Sequence, residues 1–144
     1  MTLSRLSVQS IELLADFNAK FFSDGWNLNQ LRGAFGQEGF NCIGAFDGKE
    51  LVGYISYSLT DGVADLDDVV VCPDYRRRGL GYRLVCECFA DLTKKGAGRI
   101  LLEVRKENQN AISLYAKAGF TKISVRKKYY SNGEDALVYQ KELK

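Results

Sequence analysis

The 144-residue chain contains no histidine and only one proline, one methionine and one tryptophan. The missing histidine is the most restrictive of these absences. It removes the usual proton shuttle and a common metal ligand, so acid–base chemistry must run on carboxylate, tyrosine, cysteine or lysine. Four cysteines are present, Cys42, Cys72, Cys86 and Cys88, with no imidazole to complete a zinc site. Cys86 and Cys88 lie two apart on an expected helix, where side chains do not face each other. The expectation is reduced cytoplasmic thiols, with neither a metal nor a disulfide framework. No apolar run approaches the ~20 residues that span a bilayer, and no secretory signal pattern opens the sequence, so no membrane partner is expected. Charge of one sign is scarce too. A formal net charge of +2 is too small for a protein that binds nucleic acid by counterion release, and no direct nucleic-acid contact is expected.

What is present reads as one globular domain over residues 1–144, 46% hydrophobic and 26% charged. Leu3–Val8 reads as a short strand and Ile11–Phe22 as a helix, with apolar residues recurring at helical spacing. Asn27 can cap a second helix running through Phe35. The runs Phe40–Phe46 and Leu51–Leu59 read as strands joined by an Asp47-Gly48 hairpin signal. Ala64–Cys72 follows the turn Thr60-Asp61-Gly62 as a third. Gly79–Lys95 carries a stripe of Leu80, Leu84, Cys88 and Leu92, and Gly96 stops it. The apolar run of Arg99–Val104 predicts a buried strand. A helix capped by Asn108 or Asn110 reaches Ala118 and closes at Gly119, before strands at Phe120–Val125 and Ala136–Lys141. This order implies an α/β (α+β) fold: a mixed, mostly antiparallel sheet of six to seven strands, helices on both faces and a central βαβ crossover.

The stretch "VVVCPDYRRRGLGYRL" combines a strand, a proline that cannot extend it, three arginines and a glycine pair. Glycines between a strand and a helix bring free backbone N–H groups to the positive end of the helix dipole, which favours an anion, most often phosphate. Gly79 and Gly81 lack the Cβ that would keep such a group away. The spacing is not the dinucleotide-binding G-x-G-x-x-G, and no Walker lysine follows. A plain helix start beside solvated arginines accounts for this stretch equally well.

Downstream stands "LEVRKENQNAISLYAKAGF", then "RKKYYSNGEDALVYQKEL". With Arg76-Arg77-Arg78-Gly79-Leu80-Gly81 set against the pattern Q/R-x-x-G-x-G/A, the chain resembles the Gcn5-related N-acetyltransferase superfamily. Within it, the chain is similar to the ribosomal-protein-alanine N-acetyltransferases, mainly from Val69 onward. Two positions depart from that pattern: Asn27 stands where serine is usual, and Asp68 where asparagine is frequent.

The resemblance implies acetyl-CoA as cosubstrate, its pyrophosphate on the amides between Arg77 and Tyr82, with Arg76 and Arg78 beside them. Val69, Val70 and Val71 would offer backbone groups to the acetyl and pantetheine portions, and Asn108 would bind the cosubstrate or simply cap its helix. Glu103, a charge within an apolar run, is the expected base, its pKa raised by burial. The bland alternative is an edge or ion-paired carboxylate, with Arg105 the candidate partner. Tyr115 is the expected proton donor to the thiolate, or a core aromatic. Trp26, Tyr129 and Tyr130 would line the acceptor groove, although the tyrosines could equally be cross-strand aromatics. The implied acceptor is the N-terminal alanine of a small-subunit ribosomal protein (number eighteen). The alternatives are a small-molecule amine and a non-catalytic CoA-binding module.

Overall fold

The computed structural model describes residues 1–144. Its strands are β1 (Thr2–Arg5), β2 (Phe40–Asp47), β3 (Glu50–Thr60), β4 (Val63–Val71), β5 (Arg99–Arg105), β6 (Thr121–Arg126) and β7 (Ala136–Glu142). Its helices are α1 (Ile11–Phe21), α2 (Leu28–Phe35), α3 (Leu80–Lys94) and α4 (Gln109–Lys117), with single 3-10 turns at Val8–Ser10 and Pro73–Tyr75. One seven-stranded sheet runs β1-β2-β3-β4-β5-β7-β6. The β4–β5 pair, bridged by α3, is parallel, whereas β1–β2, β2–β3, β5–β7 and β6–β7 are antiparallel. The parallel ladder covers only Val63–Asp65 against Arg99–Leu101. This is the mixed sheet that the turn and periodicity signals predict.

Two compact bodies divide the chain: Met1–Ser58 with Asp67–Cys88, and Leu59–Leu66 with Phe89–Lys144. In the first, Leu14 and Phe17 of α1, Leu31 of α2, Val52 and Ile55 of β3, and Leu84 of α3 are buried. In the second, Leu92, Ile100, Leu102, Val104, Phe120 and Val138 are buried. Each fully buried leucine or isoleucine contributes about 1.5–3 kcal/mol relative to exposure.

Four expectations move. The first strand stops at Arg5 rather than Val8, because Ser7 and Ser10 form a reciprocal capping box around the 3-10 turn. At the first hairpin Asp47 still pairs with Glu50, so the loop is Gly48-Lys49, and Gly48 (φ 61) makes the turn. The stretch containing Glu103 is not buried on both faces: Ile100, Leu102 and Val104 point inward, while Glu103 and Arg105 are exposed. Tyr129 and Tyr130 are not strand residues, since they lie between β6 and β7, just after left-handed Lys128 (φ 50).

Helix α4 ends in a Schellman motif. The amide of Phe120 donates to the Tyr115 carbonyl at 3.0 Å, that of Gly119 to the Ala116 carbonyl at 3.1 Å, and Gly119 has φ 97. The apolar contact typical of this motif is made by the rings of Tyr115 and Phe120, edge to face at 5.6 Å. Gly119→Ala is therefore expected to lower stability by about 1 kcal/mol and Gly119→Asn by less, because asparagine tolerates the left-handed region; thermal denaturation of both variants measures the difference.

Candidate active site

In the first body, Val71 leaves β4 into the Pro73–Tyr75 turn, and α3 begins at Leu80. Between them Arg76 is extended, while Arg77 (φ 63) and Gly79 (φ 76) are left-handed. These reversals gather backbone amides ahead of the first turn of α3, the geometry of an anion-binding nest. A Cβ built on Gly79 meets no atom within 4 Å, so space lies open in front of the loop. Arg76 braces the loop, its Nε donating to the Val71 carbonyl at 3.1 Å. The Arg78 guanidinium stacks 4.9 Å from the ring of Tyr75, whose hydroxyl donates to Asp47. That bond to a carboxylate pushes the Tyr75 phenol up to about 12. Tyr82, one turn from Cys86 on α3, is raised by its hydrogen bond to that thiol.

The strand leading into this loop carries an irregularity. The Asp61-Gly62 loop, with φ 51 and 81, sets Thr60 against Val63. At the other end the Cys72 amide donates to the Val52 carbonyl at 2.9 Å, one residue beyond that register. β4 therefore holds one more residue than the β3 segment it faces, which is a β-bulge. The alternation of burial along β4 breaks at Asp67 and Asp68, both exposed. The bulge turns Asp68 toward the side of Tyr54 and Cys42, whose ionisation its charge opposes. Beyond it β3 comes close: a Cβ on Gly53 would stand 2.7 Å from the Val70 carbonyl oxygen.

Asp68 is exposed on β4, and desolvation and then the Asp67 carboxylate push its carboxyl up to about 6. Burial, reinforced by Asp68, pushes the Cys42 thiol up to about 12 and raises the Tyr54 phenol as well. The Tyr54 hydroxyl donates to the buried Asn18 Oδ1 at 3.1 Å, and Asn18 Nδ2 donates to the Trp26 carbonyl at 3.2 Å. Trp26 is thus placed by α1, with its ring 6.3 Å from Phe40. An open depression of about 780 Å³ on α1 and α2 includes Trp26, Asp16 and Arg32 but none of the other predicted site residues.

In the second body, Glu103 is exposed, with an oxygen 3.6 Å from the Arg126 guanidinium. The burial expected for it is absent because its side of β5 faces outward, and its partner is Arg126 rather than Arg105. Asp65 is raised by desolvation and then by the charge of Glu103. Tyr115 is buried at 7% exposure. Asn108 caps α4, its Oδ1 accepting from the Ala111 amide at 3.2 Å. The Tyr129 and Tyr130 rings meet edge to face at 5.3 Å, with Arg126 5.4 Å from the first and Arg105 4.8 Å from the second. Burial raises the Tyr130 phenol, and Glu103 adds to the rise. The sequence reading missed Asn18, Arg126 as the partner of Glu103, and the Asp47–Tyr75 tether. Of these only Arg126 stood in a recognisable motif.

Residues 8–120 match the acetyltransferase (GNAT) family. The chain is 34% identical over 151 residues to an uncharacterized protein of Mycobacterium leprae (strain TN), a match covering 99% of this chain and 41% of that protein. It is 37% identical over 89 residues to the ribosomal protein bS18-alanine N-acetyltransferase of Escherichia coli (strain K12), covering 58% of this chain and 60% of that enzyme. The matches thus span less than two thirds of the length of either relative. The crystal structure of the ribosomal-protein-S18-alanine N-acetyltransferase from Escherichia coli superimposes with a TM-score of 0.89 at 26% identity, over 99% of this chain and 93% of that one. With the family match extending over residues 8–120 and the fold superimposing on that of the Escherichia coli enzyme, the chain belongs to the acetyltransferase (GNAT) family.

Proposed function

We propose that residues 1–144 act as a single N-acetyltransferase domain that moves the acetyl group of acetyl-CoA to a protein N-terminal α-amine. The observation that carries this reading is the nest formed by left-handed Arg77 and Gly79 at the start of α3, with open space before it. The residues fit a pyrophosphate: amides from Arg77 to Tyr82 would hold it, and Arg78 would add charge. Val69, Val70 and Val71 would present backbone groups to the pantetheine and acetyl portions, and Asn108 still has its amide N–H₂ to offer, because the cap bond uses only its oxygen. Acetyl-CoA supplies an activated thioester carbonyl.

The chain's own residues handle the protons. An α-ammonium has a pKa of about 7.7–8.0, so freeing the amine at pH 7 costs only ~1–1.4 kcal/mol, against more than three times that for a lysine near 10.4. This difference favours an α-amine acceptor. Glu103, held by Arg126, accepts a proton from the nitrogen, and the Tyr115 hydroxyl gives one to the leaving thiolate. Trp26, Tyr129 and Tyr130 receive the peptide. The likeness to the Escherichia coli enzyme supports the N-terminal alanine of ribosomal protein bS18 as the acceptor.

A panel of alanine-started peptides, internal-lysine peptides and polyamines, read by mass spectrometry, tests the acceptor. The expected product is α-acetylated peptide with little lysine modification, and a polyamine preferred by kcat/KM would reject the peptide reading. Gly81→Val, which puts a branched side chain where phosphate must approach, is expected to weaken acetyl-CoA binding at least about 10-fold in a folded protein, as measured by calorimetric titration. Tyr115→Phe keeps the contact with Phe120 and is expected to lower kcat about 100-fold with little change in KM; normal turnover would leave Tyr115 as a core aromatic.

A further inference from the structure

In the first body, the depression of about 780 Å³ on α1 and α2 has the size of a ligand pocket, and apart from Trp26 its lining is unused by the transfer. Glu12, Ala15, Asp16 and Ala19 recur at i, i+3, i+4 and i+7, so one face of α1 forms one wall. Two of these four are alanines, which leave open the space that longer side chains would fill. Leu28 and Arg32 of α2 belong to the lining, Leu28 being 38% exposed, and half-buried Phe22 and Trp26 add ring surface. The connection between the helices is held tightly. Asn18 Nδ2 donates to the Trp26 carbonyl, and a Cβ on Gly25 would stand 2.5 Å from the Cβ of Asn18. The depression is therefore formed in advance.

Its two carboxylates have no counter-charge: no hydrogen bond or ion pair engages Glu12 or Asp16. Lys20, one turn beyond Asp16, lies 5.1 Å from the Phe21 ring instead, and Arg32 donates to Asn29 Oδ1 at 3.3 Å. The first turn of a helix favours Glu12, but Asp16 stands in mid-helix, where a like charge one turn away weakens the helix. A partly apolar groove edged by unpaired carboxylates suits an extended chain with cationic side chains, whose aliphatic stems lie on rings and alanines while the heads meet the acids. Arg32 keeps donors for the carbonyls of such a chain. The acceptor supported above brings that chemistry, because a ribosomal protein neutralises RNA phosphates with lysine and arginine.

We propose that the depression on α1 and α2 receives a lysine- or arginine-bearing stretch of the acceptor protein, and so selects basic acceptors over neutral or acidic ones. This rests on the transfer reading above. Glu12 and Asp16 meet the cationic heads, and Ala15, Ala19, Phe22 and Trp26 meet the stems. No bond is made or broken there, so the gain falls on binding and leaves the chemical step alone. Exposed pairs of this kind add specificity and encounter rate more than affinity, and salt weakens them.

The single tryptophan of the chain is Trp26, so its fluorescence reads the depression directly. The probe is an arginine–glycine peptide acetylated at its N-terminus, which holds no amine to acetylate; a glutamate–glycine peptide blocked in the same way is the control. The arginine peptide is expected to change Trp26 emission saturably, with a Kd that rises about 5-fold between about 20 mM and about 150 mM salt. The glutamate peptide is expected to leave the emission unchanged. Glu12 and Asp16 are both exposed, so their variants keep the fold. Glu12→Gln with Asp16→Asn should weaken the arginine peptide about 5-fold to 10-fold, and Glu12→Lys with Asp16→Lys should reverse the preference in favour of the glutamate peptide. In acetyl transfer, the Glu12→Gln, Asp16→Asn variant should raise KM by about the same factor for an alanine-started peptide continued by arginines, with kcat unchanged. An alanine-started peptide continued by glycine and serine should react as it does with the wild type. An emission change equal for both blocked peptides, an arginine-peptide affinity that survives both double variants, or an equal KM loss for basic and neutral acceptors overturns the proposal. If the wild type acetylates no α-amine, the transfer reading fails separately. The blocked-peptide titration then still decides whether the depression takes a basic chain: saturable, acid-dependent binding upholds it, and no binding overturns it.

Discussion

The extra residue in β4 sets the direction of every side chain beyond it on that strand. Strand side chains alternate, so an added residue exchanges the two faces for all that follows. Without it Asp68 would continue the inward series of Ala64 and Leu66. With it, Asp68 lies toward Tyr54 and Cys42, and Gly53 must be glycine-sized to let the Val70 carbonyl pass. The bulge thus places an acidic group and positions the backbone beside it, and both depend on the register that Val52 and Cys72 hold.

The groups that would meet charge are fixed by ends of elements more than by their middles. Arg76 is tied to the last residue of β4, and Tyr75 to the last residue of β2. Asn108 caps one end of α4, and Tyr115 belongs to the motif that terminates the other. Arg126 closes β6 and faces Glu103. Termini leave backbone groups unsatisfied, so the side chains that satisfy them are held in place by hydrogen bonds as well as by packing.

Much of this was legible in the residues. The element order follows from glycine and Asp-Gly punctuation, and the α3 stripe of Leu80, Leu84, Cys88 and Leu92 is buried as its period requires. The errors share a cause, which is that a run of letters does not reveal which face is covered. Around Glu103 the apolar letters suggest burial on both sides, yet only alternate residues face inward. Tyr129 and Tyr130 look like strand residues until the left-handed Lys128 redirects the chain. The β4 bulge was invisible, because Asp67-Asp68 and Val69-Val70-Val71 read the same with or without a slipped register.

The strand order β5-β7-β6 has a kinetic corollary. In the first body β2 and β3 form a hairpin as soon as the second strand exists, and β1 joins β2 across the two intervening helices. In the second body β6 has no neighbour but β7, which comes later in the chain and must enter beside β5 as well. Until then β6 is an unpaired segment carrying Ile123 and Val125 in water, kept from sticking by Lys122 and Arg126. Pairings of this kind pay their loop entropy before they gain contacts. The rate of folding should therefore be set by the arrival of β7, and the region holding Glu103 and Tyr115 should be the last to become rigid.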